Sequence, residues 1–218
     1  MSKIMSAKEV AELLEDNDTI MIGGFGERGY PREILKALQP LDVKNLNFIV
    51  NALNKYTRIE LEEIVMEKGA HLTSSFVRMS DTALHFFKEG KMTMIPQGTL
   101  AESIRLGGMG IPAYYNPVGI GTEFETGKEI REFNGKKYLL EESLVADKAL
   151  MRVNIADKSG NCHIKGAAKS FSPAMAYASK NVYIEAEKIV EVGELDPEVI
   201  TIPGILVTGI VFAEKGGR

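Results

Sequence analysis

Residues 16–33 read Asp16-Asn17-Asp18-Thr19-Ile20-Met21-Ile22-Gly23-Gly24-Phe25-Gly26-Glu27-Arg28-Gly29-Tyr30-Pro31-Arg32-Glu33. Thr19 to Ile22 is a short apolar run, mostly β-branched, of the kind that fills a buried strand. Four glycines follow within seven positions (Gly23, Gly24, Gly26, Gly29), and Pro31 then stands where a helix would open. Proline suits a first helical position because its missing N–H would lack a partner there in any case. Strand, glycine turn and helix start make a βα unit whose turn points backbone N–H groups outward, where they can meet an anion. The stretch therefore predicts an α/β fold with a binding site in the turn.

Gly24 to Gly29 also spells G-x-G-x-x-G, the dinucleotide-binding pattern. That pattern requires an acidic residue about 20 positions on, at the end of the next strand, to grip a ribose hydroxyl. The next apolar run is Leu46 to Val50, and it ends in Asn51-Ala52-Leu53-Asn54, with no carboxylate. An NAD-binding domain is one alternative for the glycine turn, and it lacks this second half of its signature.

Outward from the turn the chain alternates. Ser6-Ala7-Lys8-Glu9 reads as a capping box before a helical stripe of Val10, Leu13 and Leu14. The helix opened by Pro31 carries Ile34, Leu35 and Leu38. Thr57-Arg58-Ile59-Glu60 reads as a second capping box, followed by Leu61, Ile64 and Val65 with Gly69 as the stop. Then come a strand over His71 to Phe76, a helix capped by Ser80-Asp81 through Phe87, and a strand over Met92 to Ile95. A helix over Leu100 to Leu106 closes on Gly107-Gly108. This alternation predicts a parallel sheet covered on both faces.

The middle of the chain differs. Glu129 to Phe133 and Lys136 to Leu140 flank Asn134-Gly135, the pair a type I′ hairpin turn prefers. Further strands are predicted over Ala149 to Ile155, Cys162 to Lys165, Asn181 to Glu185 and Ile205 to Phe212, with a helix opened by Pro173. No repeat, low-complexity tract or linker interrupts residues 1–218. The expectation is one α/β domain: three α/β/α layers, a mostly parallel mixed sheet and an added β-hairpin region.

Composition bounds the function. A net charge of −4 and no basic tract longer than Lys136-Lys137 give no electrostatic case for nucleic acid. Cys162 is the sole cysteine, and His71, His85 and His163 have no ligand spacing, so neither a disulfide framework nor a metal centre is expected. Without an apolar run of membrane-spanning or signal-peptide length, a soluble cytoplasmic protein is expected.

Asp16-Asn17, Gly23-Gly24-Phe25, Gly29 and Pro31 resemble, in their spacing, the first signature of the family I coenzyme A transferases. Residues 96–113, Pro-Gln-Gly-Thr-Leu-Ala-Glu-Ser-Ile-Arg-Leu-Gly-Gly-Met-Gly-Ile-Pro-Ala, resemble that family's P-Q-G-T-L-A-E-x-I-R-x-G-G-x-G-I-P-A block. Gly135 to Glu141, Gly160-Asn161 and Gly193-Glu194-Leu195-Asp196-Pro197 fall in the family's order. The resemblance covers nearly the whole chain and implies the alpha (A) subunit of a two-subunit 3-oxoacid, acetate or butyrate-acetoacetate CoA-transferase. It implies a partner beta subunit, in an alpha2beta2 assembly, with acyl-CoA and a short-chain carboxylate as substrates and no permanently bound cofactor.

In the family a glutamate in an E-N-G context, carried by the beta subunit, attacks the acyl-CoA and becomes a glutamyl-CoA thioester. No Glu-Asn-Gly occurs in this chain, so the resemblance places the nucleophile on the partner. Gln97, in the matching P-Q-G-T block, is implied as an oxyanion-hole donor, a role its amide N–H₂ suits. The residues Gly24, Phe25, Gly26, Glu27, Arg28, Gly29 and Tyr30 match the family's CoA-contact loop. Phe25 reads either as a ring along the pantetheine arm or as a core plug. Asn51 matches an asparagine of the family's cleft, although Val-Asn-Ala-Leu-Asn here departs from the more usual S-N-N-A-G. Besides the NAD domain, the alternatives are a sugar-phosphate isomerase-like domain and a catalytically inactive CoA-binding subunit.

Overall fold

The structure, a computed structural model, describes residues 3–54 and 59–213. Beyond β1 (Ile4–Met5), the first half alternates as the periodicity predicts: α1 (Ala7–Ala11), β2 (Thr19–Ile22), α2 (Arg32–Leu38), β3 (Leu46–Val50), α3 (Ile59–Lys68), β4 (Gly69–Ser74), α4 (Asp81–Lys88), β5 (Met92–Met94) and α5 (Gln97–Gly108). β6 (Ala113–Asn116), β7 (Ile130–Phe133) and β8 (Lys136–Glu142) form a separate antiparallel sheet in the order β6-β8-β7. The chain then returns as β9 (Ala146–Asp157), β10 (Cys162–His163), α6 (Ser172–Tyr177), β11 (Ser179–Val190) and β12 (Gly209–Phe212).

Eight strands of the main sheet run parallel in the order β1-β12-β11-β9-β2-β3-β4-β5, and β10 pairs antiparallel with β9. Each face carries its own apolar cluster. Ile20 and Ile22 of β2 point to the face packed by α1 to α4, through Val10, Leu35, Leu61 and Phe86. Met21, between them, points to the opposite face, where Leu100 and Ile104 of α5 and Met175 of α6 cover it. The alternation is the period-2 geometry of a strand buried on both sides.

From β2 the order runs outward through β3, β4 and β5, and the returning chain lays β9 on the other flank of β2. The β2–β9 junction is therefore the point where the strand order reverses. In open α/β sheets the crevice beyond the carboxyl ends of the strands at such a point is where ligands bind.

Several boundaries differ from the sequence reading. The Ser6–Glu9 capping box is present, but Leu13 is 43% exposed and Ala11 takes its place in the core. Pro31 is the residue before α2 rather than its first member. Gly69 does not end α3 in a left-handed cap; it starts β4, where a Cβ would lie 2.5 Å from the Val65 carbonyl oxygen. The last strand begins at Gly209 rather than Ile205, because Gly204–Leu206 forms a 3₁₀ turn. The Thr57–Glu60 box lies partly outside the described residues, and β1 and β6 had no expectation at all. Asn134 and Gly135, at φ 52° and 77°, make the hairpin turn as expected.

Candidate functional site

The glycine loop leaves β2 at the reversal point. Its two feet stand on β9: Gly23 N–H donates to the Leu150 carbonyl at 2.9 Å, and Arg152 N–H donates to the Gly29 carbonyl at 3.0 Å. Between them Phe25 and Arg28 exchange backbone hydrogen bonds of 2.8 and 3.1 Å, turning Gly26-Glu27 into a tip. Glycine is required at both ends of this tip. Gly24 has φ +118°, and a Cβ there would lie 2.9 Å from the Arg28 oxygen; Gly29 has φ +85°, and its Cβ would lie 3.0 Å from the Gly24 Cα. Phe25 is 45% exposed, so it is no core plug. Tyr30 is buried in the cluster on the α2 face.

One strand over, Ile22 sits opposite Val50, the last residue of β3, so Asn51 follows beside the start of the loop. Asn51 is buried, and Ser75 fixes its carbonyl through its N–H at 3.0 Å and its hydroxyl at 2.6 Å. The Asn51 Oδ1 accepts from Gln97 Nε2 at 2.9 Å. Gln97 is exposed and opens α5, a 12-residue helix whose start carries no side-chain cap. The uncapped N–H groups and the helix dipole make this corner electropositive. A Cβ at Gly98 would meet nothing within 4 Å, so the space beside Gln97 is open. Tyr114 of β6, bonded to the Thr99 carbonyl at 3.0 Å, and Asn116, bonded to the Thr99 hydroxyl at 3.0 Å, fasten this first turn. The carboxyl edge thus gathers Asn51, Gln97 and the glycine loop, three stretches the sequence keeps far apart.

The coenzyme A transferase family model matches residues 3–213. The chain belongs to the coenzyme A transferase family. It is 37% identical over 215 residues to the A subunit of a probable succinyl-CoA:3-ketoacid coenzyme A transferase from Bacillus subtilis, covering 97% of this chain and 90% of that one. It is 38% identical over 213 residues to the acetoacetyl-CoA:acetate/butyrate CoA transferase alpha subunit of Clostridium acetobutylicum, covering 96% and 97%. Among solved structures, the acyl-CoA transferase of Escherichia coli O157:H7 superposes with a TM-score of 0.88 at 21% identity, a likeness of fold. All of this chain matches, and it spans 48% of that longer one.

This coenzyme A transferase carries a further cleft, of about 460 Å³, on the β9 side of the loop, walled by Glu27, Arg28, Arg32, Arg152, Lys165 and Glu187. Its deeper cations are already engaged. Arg32 pairs with Glu60 at 2.5 Å, and Arg152 pairs with Glu185 at 2.8 Å and Glu187 at 3.2 Å. Glu185 is fully buried; burial pushes its carboxyl up, against the pull of Arg152 and of the Glu33 and Ile34 N–H groups. Glu27 stands at the exposed loop tip, as a solvated charge would.

The remaining candidates are structural. Burial pushes the Cys162 thiol up, and its Sγ donates to the Gly160 carbonyl at 3.0 Å. His163 bonds the Val199 carbonyl at 2.7 Å, and His71, its pKa lowered by burial, bonds the Thr93 hydroxyl at 2.8 Å. Among the described residues no cluster of three or more His, Cys, Asp or Glu could hold a metal, and no helix is long and apolar enough to cross a membrane. The sequence reading did not single out Ser74-Ser75 or Glu185. A serine pair closing a strand, and a lone carboxylate inside the apolar run Val182 to Ala186, were the available signals.

Proposed function

We propose that this chain is the alpha subunit of a short-chain acyl-CoA:carboxylate CoA-transferase, a single domain that completes its active site with a beta subunit in an alpha2beta2 assembly. The observation that carries the proposal is the Gln97 amide, one of whose hydrogens is held by Asn51 at 2.9 Å while the side chain stays exposed at an uncapped helix start.

A glutamate on the partner chain attacks the acyl-CoA carbonyl, whose oxygen gains negative charge in the tetrahedral intermediate. The second Gln97 hydrogen is free to donate there, and the α5 dipole adds to the stabilisation. Collapse expels CoA thiolate and leaves an acyl–glutamyl anhydride. The thiolate attacks the glutamyl carbonyl, releasing the first carboxylate and leaving a glutamyl-CoA thioester, and the acceptor acid runs the sequence in reverse. Two hydrolysable intermediates demand a dry pocket, which one half site cannot enclose. Gly24 to Gly29, Phe25 and Asn51 line the CoA side. That the Bacillus and Clostridium relatives are each named as one subunit of a transferase supports a second chain. Asn51, uncharged and committed to Gln97, supports this reading over the NAD alternative.

The test is to mix the chain with a partner bearing Glu-Asn-Gly, load it with acyl-CoA, reduce the thioester with borohydride and locate the label by mass spectrometry. The expected label is on the partner's glutamate. Label on Glu27, or turnover by this chain alone, would overturn the proposal.

A further inference from the structure

We infer that Glu185 is a positioning residue that, through Arg152, locks the glycine loop in the conformation presented to the acyl-CoA; the inference rests on the proposed role of that loop. Pro31 precedes α2 and offers no side-chain cap, so the first N–H groups of the helix need an acceptor from elsewhere. Glu185 Oε2, on β11, supplies it, accepting from Glu33 N–H at 2.7 Å and Ile34 N–H at 3.3 Å. Its Oε1 accepts from Arg152 Nη1 at 2.8 Å, and β9 and β11 place these two residues directly opposite each other. The Arg152 backbone N–H in turn holds the Gly29 carbonyl at 3.0 Å.

The contacts close a circuit: Gly29 to Arg152, Arg152 to Glu185, Glu185 to Glu33 and Ile34, and back along the chain through Tyr30. The foot of the loop and the start of the helix cannot shift independently while it is intact. A buried ion pair adds little net stability, since apolar residues of similar volume usually serve as well or better. Its physical gain is a fixed geometry, and the geometry fixed here is that of the loop. Glu187, held by Arg152 Nε at 3.2 Å and Asn154 Nδ2 at 2.9 Å, keeps the guanidinium from turning away.

Glu185→Gln is the informative substitution. An amide presents one oxygen and one NH₂, so either α2 or Arg152 meets a donor where it needs an acceptor. In the two-subunit enzyme the expected result is faster amide hydrogen exchange confined to residues 24–34 and a KM for acyl-CoA raised about tenfold. The KM for the free acid should stay within about twofold, and kcat should fall less than KM rises. Arg152→Lys, whose ammonium cannot bridge two carboxylates as a guanidinium fork does, is expected to act in the same direction and serves if the glutamine variant folds poorly. Unchanged exchange over 24–34 in the folded variants overturns the clamp. Faster exchange with an unchanged acyl-CoA KM leaves the clamp standing and overturns the role of the loop in binding the ester.

Discussion

Two neighbouring residues at the start of α5 separate chemistry from folding. Gln97 is exposed and gives the fold one side-chain hydrogen bond, to Asn51 at 2.9 Å, so its removal should hardly lower the melting temperature. If its second hydrogen meets the oxyanion, Gln97→Ala costs about 3 kcal/mol of transition-state stabilisation, roughly a hundredfold or more in kcat, with KM little changed. Steady-state kinetics of the two-subunit enzyme, beside a thermal melt, measure both. A near-normal kcat with a lowered melting temperature would make Gln97 a turn residue. Gly98 gives the complementary case. A methyl group there meets no protein atom within 4 Å, and its φ lies outside the left-handed region, so alanine should stabilise the chain by about 0.5 kcal/mol. The same methyl projects into the open space beside Gln97. Activity in the complex is expected to drop while the isolated chain melts at the same temperature or higher, and equal activity would mean that neither substrate nor partner enters that space.

The connection between β9 and β10 shows how an element depends on one carboxylate. Asp157 Oδ1 accepts from Ser159 N–H, the Ser159 hydroxyl and Asn161 N–H at 2.9, 2.7 and 3.0 Å, and Oδ2 accepts from Asn161 Nδ2 at 2.8 Å. Burial pushes the carboxyl up, but the Asn161 and Ser159 bonds together outweigh it and hold the pKa below its ordinary value. With the folded pKa lowered, the stabilisation is complete above the unfolded value of about 3.9 and is lost as pH falls through the folded one. Asp157→Asn should cost about 3 kcal/mol at neutral pH, and the gap from the parent chain should narrow below about pH 4; a constant gap in pH-resolved melts would remove the carboxylate from the account. This connection also marks the limit of what the sequence discloses. β2 and β3 were legible to the residue because each is a short, mostly apolar run set between polar residues and glycine or asparagine turns, and the Asn134-Gly135 turn because its φ values admit few residues. Residues 205–208 were misread as strand for the same apolar reason; they follow Gly204, which packs so closely on the β9–β10 connection that a Cβ there would lie 2.7 Å from the Ser159 oxygen, a contact no local pattern encodes. β6, Ala-Tyr-Tyr-Asn, has no apolar alternation because it covers a helix start rather than filling a core. Asn51 and Gln97 could each be nominated from sequence, but their contact follows from strand order, and Glu185 works on residues about 150 positions away.

At the scale of the whole molecule, the carboxyl edge of the sheet carries apolar side chains that the described residues leave exposed. Phe25 after β2 is 45% exposed, and Phe76 and Met79 after β4 are 40% and 39% exposed. They flank β3, the strand that leads into Asn51, so a body closing over Gln97 would bury them. Phe76→Glu tests this without disturbing the fold, because an exposed side chain contributes little to stability and surface substitutions usually stay within about 0.5 kcal/mol. A carboxylate forced into a desolvated contact weakens association by at least about 1.4 kcal/mol, or tenfold in Kd. The expected result is an unchanged melting temperature for the isolated chain and a beta-subunit Kd raised about tenfold or more, read by sedimentation or surface binding. Turnover at limiting subunit concentration should fall in proportion and recover when the partner is added in excess. That recovery is the decisive feature: a variant crippled in chemistry stays slow at saturating partner, whereas one crippled in docking does not. Should Phe76→Glu bind the partner as tightly as the parent chain, the beta subunit closes over some other face, and Gln97 would look out on solvent, where an oxyanion donor is worth little.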